Sequence, residues 1–170
     1  MASITIKVDD SQVRELLAKI QSKTKNLTPA MKIIGEIILK SVKENFRQGG
    51  RPERWKPLAK STLRDIKKRD KKILIKDKRL MNSLTYRASS RNVVIGTNVD
   101  YAAIHHFGGR TSPHIIKPRR KKALFWPGAK CPVKLVKHPG SDIPARPFLM
   151  VQDEDWKNIR RTLADYLLRR

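Results

Sequence analysis

Four histidines and one cysteine, His105, His106, His114, His138 and Cys131, are the side chains best suited to chemistry in this sequence. Imidazole and thiolate are zinc ligands. A zinc site needs a compact ligand set at a recognisable spacing, and the chain has no Cys-x-x-Cys, His-Glu-x-x-His or His-x-Glu element. His105 and His106 are neighbours, so on a helix their rings point in different directions. No metal is expected here. Carboxylates are as sparse: between Ile75 and Met150 only Asp77, Asp100 and Asp142 occur, whereas two-metal hydrolysis needs several acids in one place. A glycine-rich phosphate loop and a serine nucleophile elbow are also missing from the sequence. Catalysis and bound cofactors have no sequence support, and the chain is read as a non-enzyme.

Positive charge is the chemistry this chain has in abundance. Lys and Arg number 39 against 15 Asp and Glu, a formal charge of +24. Most of it sits in the middle, +10 over residues 51–100 and +9 over 101–150. Such a field attracts polyanions and speeds encounter with them, without saying anything about fold. Two clusters are candidate contacts to nucleic acid or to an acidic partner. One is Lys67, Lys68, Arg69, Lys71 and Lys72, within a Pro-broken and then basic stretch near 60–79 that reads as a mobile loop or helix tip. The other is Arg119, Arg120, Lys121 and Lys122. The plain alternative for the first cluster is a solvated face. Phosphate contacts would be non-specific and would weaken steeply with salt as counterions are released. Tyr86, His114, Phe125 and Trp126 lie among these basic residues and could stack on bases; burial as strand aromatics is the preferred account.

The elements that must position these groups follow from length and periodicity. A chain of 170 residues with 39% hydrophobic residues suits one domain spanning 1–170. The single cysteine excludes an internal disulfide and fits a reducing compartment. No secretion signal is expected at the N-terminus, and no apolar run approaches the roughly 20 residues that cross a bilayer, so no membrane partner is expected. Residues 3–8 alternate as a strand does. Asp9 with Gln12 resembles a capping box before Val13, Leu16, Leu17 and Ile20 at helical spacing. Thr28-Pro29 opens a second helix, with Thr28 as its cap. Ile33, Ile34, Ile37, Ile38, Ser41, Val42 and Phe46 form its broad inner face, and Gly49-Gly50 ends it. Thr85–Ala88 and Asn92–Thr97 read as a hairpin, and Lys122–Trp126 and Val133–Lys137 as pieces that extend its sheet. A last helix opens on Asp153, Glu154 and Asp155, closes on Arg169 and Arg170, and carries Trp156, Ile159, Leu163, Tyr166 and Leu167 on one face. The fold class is α+β: one domain with helices packed on a small antiparallel sheet, a long basic loop and a C-terminal helix.

Two blocks stand out from this frame. Tyr101, Ile104, His105 and Phe107 recur at three- and four-residue steps and meet Gly108-Gly109, which predicts a short helix stopped sharply. In the second block Pro144 and Pro147 hold themselves and the preceding Ile143 and Arg146 extended, which aims Arg146. Its planar fork is expected to bind carbonyls or a carboxylate near the Tyr101 block, while Phe148 fills the core. The two blocks either fix the fold or form a subunit contact.

Tyr-Ala-x-Ile-His-x-Phe-Gly-Gly followed by Ile-Pro-Ala-Arg-Pro-Phe-Leu, at 101–109 and 143–149, resembles the phage virion morphogenesis family, which includes tail completion proteins of contractile-tailed bacteriophages. Phe46, Gly49, Gly50, Pro52, Trp55 and Leu58 fit the same pattern, as do Thr62, Leu80–Ser83, Val93–Thr97 and His138-Pro139-Gly140. The likeness is collinear over roughly residues 30–165. His106 departs from it, a Gln being more usual there. The resemblance implies a structural part of a tailed-phage virion, assembled in the bacterial cytoplasm and acting in tail completion or head–tail joining at the neck. It implies contacts with neck, tail or connector proteins and a homo-oligomeric ring, with Trp55, Tyr101, His105, Phe107, Gly108, Gly109, Pro144, Arg146, Pro147 and Phe148 as fold or assembly residues. A free, non-specific nucleic-acid-binding protein is the alternative.

Overall fold

A computed structural model describes residues 9–59, 63, 72–119, 122–126 and 129–168. The expected strand at 3–8, Lys67, Lys68, Arg69, Lys71, Arg120, Lys121, Arg169 and Arg170 lie outside the described residues.

Helix α1 (Ser11–Thr24) starts where Asp9 Oδ1 accepts the Ser11 amide at 3.0 Å. It buries none of its own residues, and Val13, Leu16 and Leu17 are all exposed. Its end is tied down instead. Lys23 Nζ donates to the carbonyls of Tyr166 and Leu167, at 3.0 and 3.4 Å, where a helix C-terminus concentrates negative partial charge. Helix α2 (Thr28–Gln48) carries Pro29 in its first turn. Thr28 is already helical; Leu27 takes the cap position, with no side-chain cap bond, so the expected threonine cap is displaced by one residue.

α2 is the centre of the molecule. Ala30, Ile34, Gly35, Val42 and Phe46 are buried along it, and Ile33 is exposed at the margin of the stripe. A short helix α3 (Arg79–Asn82) inserts Leu80 into the core. Strands β1 (Thr85–Ala88) and β2 (Val93–Gly96) form the expected antiparallel hairpin, closed by Ser89, whose Oγ accepts the amides of Arg91 and Asn92. Helix α4 (Ala102–Phe107) follows. The remaining strands are β3 (Gly109–Arg110), β4 (His114–Ile116), β5 (Val136–His138) and β6 (Asp142–Ile143).

The strands do not join into one sheet among the described residues. β1 pairs with β2, β3 with β6 and β4 with β5, each antiparallel, and Leu124 bridges Val133. The pieces near 122–126 and 133–137 therefore pair within the 109–143 region instead of extending the hairpin. Phe125 and Trp126 are exposed, which corrects their reading as buried strand aromatics.

Helix α5 (Asp153–Leu168) packs on α2. Its inner face is rotated from the expected one: Asp155 and Ile159 are buried, while Trp156 is half exposed. The cause is polar, since Asp155 Oδ2 accepts the Ser41 hydroxyl at 2.6 Å. Turning Asp155 inward turns its neighbour by about 100°.

The hairpin lies on α2 at Gly35, where a Cβ would collide with the ring of Tyr86. Gly35→Ala is expected to lose about 1–2 kcal/mol by urea denaturation, because overpacking outweighs alanine's better helix propensity. Adding Tyr86→Leu should return most of the loss. An unchanged or higher stability in the single variant would show that the helix and hairpin do not meet this closely.

Candidate functional site

The two blocks meet. The extended chain from Ile143 to Leu149 runs beside α4 and in front of the end of α2. Two prolines remove its donors at 144 and 147, so it cannot pair as a regular strand. Its buried backbone groups still need partners, and side chains supply most of them.

The Arg146 amide donates to the His105 carbonyl at 2.9 Å. The amides of Phe148 and Leu149 point to Nδ1 of His106, at 3.3 and 3.5 Å. The Pro147 carbonyl accepts Trp55 Nε1–H at 3.1 Å, and the Phe148 carbonyl accepts Asn45 Nδ2–H at 3.0 Å. Phe148 itself is fully buried, with its ring centroid 5.2 Å from that of Phe46, and Trp55 stands nearly perpendicular to Phe46 at 5.7 Å. At the start of the segment Ile143 pairs with Gly109. Gly108, at φ 75°, makes the turn from α4; a Cβ there would stand 2.7 Å from the Ala145 amide nitrogen.

Arg146 is buried and donates to the carbonyls of Lys56 and Pro57, over 3.2–3.4 Å. Its partners are thus carbonyls, but they come from the chain after Trp55. Its hydrogen bond to the Tyr101 block is made by the backbone amide, while the guanidinium charge is felt at His105. The arginine fastens that chain, Trp55 included, onto the Pro144–Pro147 segment.

A polar group inside the helix pair is one that sequence reasoning misses. Asn45 is wholly buried, and its Oδ1 accepts Arg51 Nε–H at 2.8 Å. Arg51 also donates to the Ser41 carbonyl, the Ser41 hydroxyl and Glu154 Oε1, at 2.8, 2.7 and 2.6 Å. Asp155 accepts the Ser41 hydroxyl and the Gln152 amide. Ser41 and Asn45, one helical turn apart on the apolar face of α2, are the signal: polar side chains on a buried stripe must find partners.

The outward face differs in kind. Phe107 is 77% exposed and Tyr101 39%, at the two ends of α4. Phe107 stands edge-on to the His106 ring, with centroids 4.6 Å apart. Pro144 and Pro147 are half buried, and Gly109 is exposed. Of the basic candidates, Lys72, Arg119 and Lys122 are described and exposed. His114 and His138 stack across β4 and β5 with centroids 5.0 Å apart, while Cys131 is exposed elsewhere. Among the described residues no three His, Cys, Asp or Glu side chains gather as a metal site would, and no helix is long and apolar enough to cross a membrane.

The chain matches the phage virion morphogenesis family over residues 8–168. It is also 30% identical over 164 residues to a protein of Haemophilus influenzae named Mu-like prophage FluMu G protein 2, covering 96% of this chain and 95% of that relative. No solved structure matches it. The chain belongs to the phage virion morphogenesis family, and its role is that of a phage structural or assembly protein.

Asn45→Ala removes the donor to the buried Phe148 carbonyl and the acceptor for the part-buried Arg51 Nε together, leaving both groups short of a partner. A loss of about 2–4 kcal/mol in urea denaturation is expected; a loss below about 0.5 kcal/mol would show that Asn45 holds nothing in place.

Burial lowers the pKa of His106 below the ordinary histidine value; burial first, and then the Arg146 charge, lower that of His105. Both shifts favour the neutral ring in the fold. The unfolded chain therefore takes up protons first as pH falls through about 6.5, so stability is full above that pH and declines below it. His106→Gln supplies an acceptor that does not titrate, and its Tm should fall less than wild type between pH 7.5 and 5.5. Identical pH profiles would exclude His106 as a source of the acid sensitivity.

Proposed function

We propose that this protein completes the tail, or prepares the junction at which head and tail meet, in a tailed bacteriophage. It acts by contact, as one subunit of a homo-oligomeric ring beside neck, tail or connector proteins, and catalyses no reaction.

The observation that carries this is how the two blocks divide their side chains. His106, Arg146, Phe148 and Trp55 are engaged with one another and with the backbone around them, which leaves them no ligand to bind. Phe107, between the inward His106 and the turning Gly108, is instead presented to solvent on a helix that the buried segment holds in place. An exposed aromatic on a rigid mount is what a protein contact uses, since little conformational freedom is lost on docking. Closed rings need head-to-tail contacts, in which a feature such as this meets a different surface of the next subunit. Membership of a virion morphogenesis family supports the same role.

Removing the coding sequence from its phage should leave heads and tails that accumulate unjoined in electron micrographs. Complementation with Phe107→Ser should fail to restore joined particles, although the purified variant keeps the wild-type Tm, because the side chain lies outside the core. Joined, infectious particles that lack the polypeptide would overturn the proposal. Full complementation by Phe107→Ser would remove that side chain from the contact.

A further inference from the structure

Strands β3 and β4 on one side and β6 and β5 on the other share a single register. Gly109 faces Ile143, Arg110 faces Asp142, His114 faces His138 and Ile116 faces Val136. They form one antiparallel ribbon, interrupted near Pro113 on one strand and Pro139-Gly140 on the other. Thr111 and Ser141 carry the pairing towards the gap: the Thr111 amide donates to the Ser141 carbonyl at 3.0 Å, and the Ser141 amide to Thr111 Oγ1 at 2.8 Å. At about 3.3 Å per residue, the eight positions from Gly109 to Ile116 span roughly 25 Å. None of the ribbon's strand residues is buried.

The charge on this ribbon and its loop is one-sided. From residue 111 to 141 the sequence holds eight Lys and Arg and no Asp or Glu. The described ones, Lys117, Arg119, Lys122, Lys130, Lys134 and Lys137, include no buried side chain. The next acid along the sequence, Asp142, sits at the root and lies 3.6 Å from Arg110. Phe125 and Trp126 are exposed among the basic residues, at 68% and 46%.

We propose that the 109–143 ribbon is a DNA-binding arm, which lays Lys117, Arg119, Lys122, Lys130, Lys134 and Lys137 along the phosphates of duplex DNA. A two-stranded ribbon is one of the shapes the major groove admits. The lack of carboxylates between residues 111 and 141 separates this partner from an acidic protein. Protein contacts are patterned with both signs to fix register and reject wrong partners, whereas a phosphate lattice repels every carboxylate brought near it. Phe125 and Trp126 add flat apolar surface that can lie against sugars or bases. Binding is indifferent to sequence, because phosphates carry none. The arm goes beyond the assembly role, since a neck or tail subunit can join its neighbours without touching DNA. The two are tested apart.

The test uses the purified full chain and a fluorescently labelled 30-base-pair duplex of arbitrary sequence, titrated by anisotropy from 50 to 300 mM salt. Wild type should bind tightly at low salt, with log affinity falling linearly against log salt. Lys117→Ala/Lys134→Ala/Lys137→Ala should weaken binding at every salt concentration and flatten the slope by about 0.9 for each phosphate no longer neutralised, with an unchanged Tm. If that variant melts early, the single variants Lys117→Glu and Lys134→Glu carry the same comparison with less disturbance to the ribbon. Trp126→Phe should remove the part of the tryptophan fluorescence that responds to DNA. Wild-type affinity and slope in the arm variants would overturn the proposal. So would loss of binding only in Lys67→Ala/Lys68→Ala/Lys71→Ala/Lys72→Ala, or arm variants that bind DNA normally yet fail to co-assemble with virion proteins.

Discussion

A partly buried chain segment that cannot continue as a strand sets the terms for the rest of this structure. Residues 143–149 cross the core edge in extended conformation, but prolines at 144 and 147 deny them a regular ladder. Each buried amide and carbonyl left over would cost as much as a missing hydrogen bond. The fold answers with four groups from three other places: the His105 carbonyl and the His106 ring from α4, the Trp55 indole from the turn after α2, and the Asn45 amide from α2 itself. Trp55 and His106 each do two jobs, packing an aromatic face against Phe46 or Phe148 while the polar edge serves the backbone. The pairing of the Tyr101 block with the Pro-Ala-Arg-Pro block is therefore a physical necessity, because neither segment is satisfied without the other.

The same requirement passes outward through Asn45. Its donor holds the Phe148 carbonyl and its acceptor holds Arg51, which reaches Ser41 and Glu154 in turn. Ser41 gives its hydroxyl to Asp155, and Asp155 caps the start of α5 through the Gln152 amide. One buried polar chain thus joins the proline segment, both long helices and the loop between α2 and Trp55. The exposed Glu154 contributes little by itself, since a solvated ion pair is weak. Asn45 and Asp155 matter because burial makes every unmet partner expensive.

What the sequence reveals and what it hides follow from the range of the interactions. Helices α2 and α5, the hairpin and the abrupt end of α4 rest on local signals, namely periodicity, a proline in the first turn, a pair of glycines and an acidic first turn. All four are visible in the residue order. Arg146 is visible as an aimed guanidinium, but its acceptors are not, because the Lys56 and Pro57 carbonyls lie about ninety positions away and carry no side-chain signature. Spacing with Ile159 puts Trp156 in the core. A long-range bond from Ser41 to Asp155 decides the helix rotation instead, and periodicity cannot weigh that. The 122–126 and 133–137 pieces read as strand-like, but their partners depend on a ribbon register that single segments do not encode.

An assembly protein gains from locking its contact elements before it meets a neighbour. Ordering a loop at the moment of docking costs about 0.5–1.5 kcal/mol for each side chain immobilised, which weakens binding by that amount. Here α4 is only six residues long, below the length at which a helix stands alone. It holds its shape because the proline segment bonds to its carbonyl and ring groups, and because Gly108 turns the chain at once into β3. Phe107 is consequently presented on a fixed mount although it is largely exposed. The 109–143 ribbon springs from the same place, since β3 follows Gly108 directly and β6 leads straight into Pro144. Whatever the ribbon and Phe107 touch, the lock between the two blocks sets the angle at which both leave the core. Loosening that lock would blur two surfaces at once, without altering a single residue on either.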